Sequence, residues 1–144
     1  MTRAALWIFL LCAPATAETL LSPSQFEQDA AGKTLYFRDT NGDFSAEQYR
    51  PDRRVTLLHE TGSCMTGRWE PRGDEICFVY VEDPDRWHCW HYIEATDGGR
   101  LHRLTNEASA VYELFIVGED TSPLECPGPG VGVSYTPSSP KSEP

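Results

Sequence analysis

The sequence predicts a mainly β chain: an antiparallel meander of about eight strands curled into a small barrel or half-barrel, with one short N-terminal helix. Three observations predict it. From Lys33 onward, short β-prone runs recur at roughly 9–12-residue spacing. Nearly every run ends in turn chemistry such as Asp39-Thr40-Asn41-Gly42 or Thr96-Asp97-Gly98-Gly99. Only one stretch, near the start of the chain, carries helix-capping residues. A two-sheet sandwich is the alternative arrangement of the same strands.

The N-terminus comes first. Arg3, the apolar run over residues 4–13 and the small residues Ala15-Thr16-Ala17 read as a signal peptide over 1–17. The run is much shorter than the roughly 20 apolar residues a membrane span needs, so no span is expected after its removal. Leu11, before Cys12, is too large for the small side chain that lipid attachment at that cysteine requires. The remaining organisation is a β-rich, disulfide-stapled domain over 18–127 and a Pro/Gly/Ser-rich flexible tail over 128–144.

Leu21-Ser22-Pro23-Ser24-Gln25-Phe26 predicts a helix start. Ser22 is the N-cap, Pro23 takes the first helical position, Gln25 closes a capping box, and Leu21 and Phe26 form a hydrophobic staple. Gly32 supplies the stop. The strands are expected over 34–38, 46–50, 54–59, 65–70, 75–81, 87–93, 100–104 and 110–117, with a turn over 82–85. After residue 117, prolines alternate with Gly and Ser. Gly128-Pro129-Gly130-Val131-Gly132 lacks the Lys-Ser/Thr and the helix of a phosphate loop.

Residues 77–91, CFVYVEDPDRWHCWH, hold two of the five cysteines, two of the four histidines and two of the four tryptophans. If 75–81 and 87–93 form a hairpin, paired residue numbers sum to 166, setting Cys77 opposite Cys89 and Phe78 opposite His88. The neighbouring hairpin at Pro71-Arg72-Gly73 could set Cys64 opposite Cys77 by the same arithmetic. Cys77–Cys89 with Cys64–Cys126 is favoured, which suits an oxidising compartment. A metal site at His88-Cys89-Trp90-His91 fails on period, because residues three apart face opposite ways on a strand. Cys89 and His91 share a face, but a soft-ion site with Cys77 would need reduced thiols. No metal and no cofactor are expected.

Trp69, Phe78 and Trp90 are expected in the barrel interior. Were the mouth open, Trp69, Phe78, Tyr80 and Trp90 would be the candidate ligand-lining residues. There is no Gly-x-Ser-x-Gly and no His-Glu-x-x-His, so no catalytic residue is assigned. Glu47, His59, Glu60 and His102 are isolated polar residues, expected on solvated faces. Removing residues 1–17 takes away only Arg3, leaving 22 acidic and 11 basic side chains and a net charge of −11. That charge repels phosphate backbones and excludes a nucleic-acid partner.

Gly32-Lys33-Thr34-Leu35-Tyr36-Phe37, Cys64-Met65-Thr66-Gly67-Arg68-Trp69, Ile76-Cys77-Phe78 and Cys89-Trp90 carry a likeness beyond composition. The chain resembles, over roughly residues 20–127, a group of small exported proteobacterial proteins of unknown function that share a Cys-x2-Gly-x-Trp, Cys-Phe, Cys-Trp pattern. The resemblance implies a secreted or periplasmic β-rich domain and implies no activity. The expected function is therefore non-enzymatic binding of an unknown small molecule or a basic protein. The alternative is a small periplasmic hydrolase or lyase that uses a carboxylate–histidine pair.

Overall fold

The computed structural model describes residues 17–105, 110–124 and 126. The expected signal peptide, but for Ala17, and the tail over 128–144 lie outside them. The described elements are β1 (Thr19–Leu21), α1 (Pro23–Ala30), β2 (Thr34–Asp39), β3 (Phe44–Tyr49), β4 (Arg54–His59), β5 (Cys64–Arg72), β6 (Glu75–Tyr80), β7 (Asp83–Glu94), β8 (Arg100–Thr105) and β9 (Val111–Asp120). No helix among the described residues is long and apolar enough to cross a membrane.

Antiparallel hairpins join β2 to β3 and so on through β9, and β9 returns to pair with β2. The eight strands therefore close into a barrel, which removes the free edges a half-barrel or sandwich would keep. The long β7 makes the closure possible. Its first part pairs with β6, from His88 opposite Phe78 to His91 opposite Glu75. Its last part, His91 to Glu94, pairs with β8. β1 takes the edge of β7 beyond the start of β6, with Thr19 opposite Glu94.

Two details depart from the sequence expectation. β1 was not anticipated, because three residues are too few to show a period. The turn expected over 82–85 is shorter: β7 already begins at Asp83, opposite Tyr80. A register irregularity between Phe78 and Tyr80 absorbs the difference, so the sum of 166 holds at Cys77–Cys89 and Phe78–His88 and fails nearer the turn.

One end of the barrel is plugged by α1. The Ser22 hydroxyl accepts from the Gln25 N–H, and the Gln25 side chain accepts in return from the Ser22 N–H. This reciprocal cap lets an eight-residue helix start sharply. Phe26 is fully buried and meets Tyr49, Trp69 and Tyr92 edge-on at centroid distances of 5.1, 5.1 and 5.3 Å. Arg53 then ties the helix to the β3–β4 turn. It adopts φ 62, donates through Nε and Nη2 to the two oxygens of Glu27, and lies 5.0 Å from the Trp69 ring centroid. Tyr92 adds a bond to Asp29 at 2.9 Å.

Beyond β9 the chain crosses the outside of the barrel. The Thr34 hydroxyl donates to the Ser122 carbonyl at 2.6 Å, and the Leu124 N–H donates to Gln48 Oε1 at 3.2 Å. The crossing ends in the Cys64–Cys126 disulfide, while Cys77–Cys89 bridges β6 and β7. Both pairings are those favoured from the sequence. Two disulfides suit an oxidising, extracytoplasmic compartment.

Candidate functional site at the barrel mouth

With α1 filling one end, the other end is framed by the β2–β3, β4–β5 and β6–β7 turns. There the barrel holds a cavity of about 460 Å³. That volume is within the usual range for small-molecule sites. Side chains alternate along each strand, so every stave sends one residue set inward. β3 contributes Ser45 and Glu47, β4 contributes Leu57 and His59, β5 contributes Met65, and β6 contributes Tyr80. β7 adds His88 and Trp90, and β9 adds Leu114. Asp39, Asp43 and Phe44, flanking the β2–β3 turn, complete the wall.

Glu47 is the unusual member. It is only 7% exposed, on a strand where a solvated face was expected. Burial pushes its carboxyl up to about 7, and the hydrogen bond donated by Tyr49 to Oε2 offsets part of that rise. Burial and the adjacent Glu47 in turn push the Tyr49 and Tyr80 hydroxyls well above their ordinary value. The pair sits on one strand at i and i+2, the shortest spacing that puts two β residues on one face. Its effect is to hold a carboxyl group in an apolar chamber near its point of half-ionisation at neutral pH.

The other polar wall residues differ in kind. Burial works against the charge of Asp39, but bonds from the Asp43 and Asn41 N–H groups outweigh it and hold the carboxyl below the usual range. His88 is held below its ordinary value by burial and by Arg86, against an opposing pull from Asp83. No carboxylate among the described residues hydrogen-bonds to His59 or His88. The carboxylate–histidine contact that does occur, Asp74 with His91 at 3.7 Å, is on the outside of the barrel.

The structure separates the four aromatic candidates. Tyr80 and Trp90 line the cavity. Trp69 and Phe78 lie beneath it in the packed core, 4% and 2% exposed, against Phe26. His102 also departs from the solvated face expected for it. It is 1% exposed, its ring 5.1 Å from Phe37 and 5.3 Å from Phe26. Its Nε2 has no hydrogen-bond partner among the described residues, and burial pulls its titration down to about 3. Glu60 remains at the surface, accepting from the Phe44 N–H. His88 points inward and His91 outward, as the strand period requires.

Two other places gather side chains that could bind a ligand. Glu75, Cys77 and Cys89 bring possible metal donors together, but the two sulfurs are bonded to each other. An outer hollow of about 570 Å³ runs past Arg50, Arg54 and Arg68. Arg54 is paired with Asp52 and Arg68 with Glu70, so two of its three arginines already have carboxylate partners. The mouth is the candidate site. Comparison with known proteins adds nothing to this geometry: no family model, no curated protein and no solved structure matches the chain.

Proposed function

We propose that this chain is an exported, periplasmic or secreted binding protein without enzymatic activity, and that its barrel mouth takes a small ligand. The observation that carries the reading is the cavity of about 460 Å³ above a buried carboxyl group. Its walls supply Phe44, Leu57, Met65, Trp90 and Leu114 for an apolar or planar body, and Glu47 for one directional contact. A filled barrel would have offered neither. The two disulfides agree with export.

The neutral dye N-phenyl-1-naphthylamine tests the reading. Saturable, one-to-one fluorescence enhancement is expected with the disulfide-intact protein. Met65→Trp, which fills the chamber, should weaken binding by about tenfold or more, the equivalent of roughly 1.4 kcal/mol. Circular dichroism would confirm that the variant is folded. Dye binding that does not saturate, or that Met65→Trp leaves unchanged, would remove the mouth as the site.

A further inference from the structure

We infer that the mouth accepts an organic cation, an arylalkyl- or alkylammonium ion whose nitrogen donates to Glu47 and whose body lies against Trp90 and Tyr80. The inference rests on the mouth being a ligand site, as proposed above, and names what that site selects.

The first observation is the sign of the lining. Its charged residues are Asp39, Asp43 and Glu47, and no Lys or Arg is among them. Of the arginines near the rim, Arg38 donates to the Gly42 carbonyl and lies 5.8 Å from the Phe44 ring centroid, while Arg86 acts on His88 but is not part of the lining. The second is an unused acceptor at depth. Tyr49 occupies Oε2 of Glu47, and no donor among the described residues bonds Oε1. An ammonium N–H reaching that oxygen would restore to the carboxylate the stabilisation that burial removes.

The third observation concerns the shape of the charge. A compact metal ion needs several donors converging on one point, and the mouth carboxylates and histidines form no such group among the described residues. Acids spread over a chamber with aromatic walls instead match a cation carried on an apolar body. The rings of Trp90 and Tyr80 in the wall attract it through the ring quadrupole.

Binding is coupled to a proton. Glu47 titrates near neutrality when the chamber is empty and must be ionised to pair with an ammonium, so the bound state releases a proton at acid pH. The titratable groups facing it are Tyr49 on β3, Tyr80 on β6, His59 on β4, His88 on β7 and Asp39 on β2. Asp43 sits in the turn above, while β5 and β9 bring Met65 and Leu114, which do not titrate. His102 on β8 lies deeper and stays neutral above about pH 3.

Three probes on one skeleton decide the matter: 2-naphthylmethylammonium, 2-naphthylmethanol and 2-naphthylacetate, titrated against tryptophan fluorescence at pH 8. The ammonium should bind about tenfold tighter than the alcohol, with the acetate weakest. Glu47→Gln should bring ammonium and alcohol within about threefold of each other. In the unmodified protein, calorimetry in buffers of different ionisation enthalpy should show close to one proton released per bound ammonium at pH 6. That release should be almost absent at pH 8.5 and absent throughout in Glu47→Gln. Equal affinity for ammonium and alcohol, a preference for the acetate, or no proton release would overturn the cation and leave the mouth as a binding site. Failure of all three probes to bind would overturn both.

Discussion

At the scale of single residues, the molecule places two titratable groups of opposite character in one interior. Glu47 has a carboxyl raised on folding from 4.5 to about 7, so the folded state holds its proton more tightly than the unfolded chain. Its full contribution is present below pH 4.5 and is lost as pH rises to about 7. His102 falls from 6.5 to about 3, so the fold gains stability as pH rises through that interval. Between about 4.5 and 6.5 the two slopes oppose each other. Glu47→Gln removes one of them. Relative to the unmodified protein, it should gain on the order of 3 kcal/mol between pH 4 and pH 8. Urea unfolding midpoints across that range would check this, and a pH-independent difference would mean that Glu47 does not titrate in the fold. The burial of Glu47 was not legible in the sequence. In Phe44-Ser45-Ala46-Glu47-Gln48-Tyr49, both alternate sets mix apolar and polar residues, so periodicity could not tell which set faces inward. His102, by contrast, had a usable sign in its outward neighbour Arg103, which pairs with Glu18 and Glu113.

At the scale of elements, the hairpins were legible and their boundaries less so. Gly-containing turns separate the strands at Asp39-Thr40-Asn41-Gly42 and at Gly73, where φ is 63. The chemistry of these turns dictates where a strand must stop. The β6–β7 boundary was misplaced because Pro84 and the acids around it read as a turn, whereas β7 begins at Asp83. What sequence could not show is how closely staves approach. Gly67 on β5 lies against β6, and a Cβ there would sit 2.2 Å from the Val79 carbonyl oxygen and 3.0 Å from the Tyr80 Cα. Neither obstacle is a flexible side chain. Gly67→Ala should therefore push the two strands apart and cost about 1–3 kcal/mol, despite removing a residue that is normally unfavourable in strands. Equilibrium denaturation would measure it, and a neutral or stabilising result would mean that β5 and β6 sit further apart than described. Because Tyr80 lines the mouth, the same change should also weaken ligand binding there.

At the scale of the whole molecule, the sequence announced a meander curled into a barrel or half-barrel but did not decide between the two. The pairing of β2 with β9 joins Thr34 to Asp120, and no local signal reports on partners so far apart. The cysteines carried more information: register arithmetic allowed Cys77 opposite either Cys89 or Cys64, and the observed register sets Cys89 opposite Cys77 on β7 and Glu70, not Cys64, opposite it on β5. The two bridges should differ in worth. They span 12 and 62 residues, and the entropy removed from the unfolded chain corresponds to about 3 and about 4 kcal/mol. Paired alanine substitutions, Cys77→Ala with Cys89→Ala and Cys64→Ala with Cys126→Ala, would compare them by urea unfolding. The Cys64–Cys126 pair should cost more, and the reverse order would show that the chain-entropy account fails here. That same bridge also changes how the barrel bears load. Tension applied beyond Cys126 passes through the sulfurs to Cys64 at the start of β5, so β9 is not peeled from β2. The 62-residue span from Cys64 to Cys126 cannot be drawn out until the bond is reduced, which withholds roughly 200 Å of chain from any pulling force. Seen mechanically, the barrel hangs from its fourth stave and not from its last.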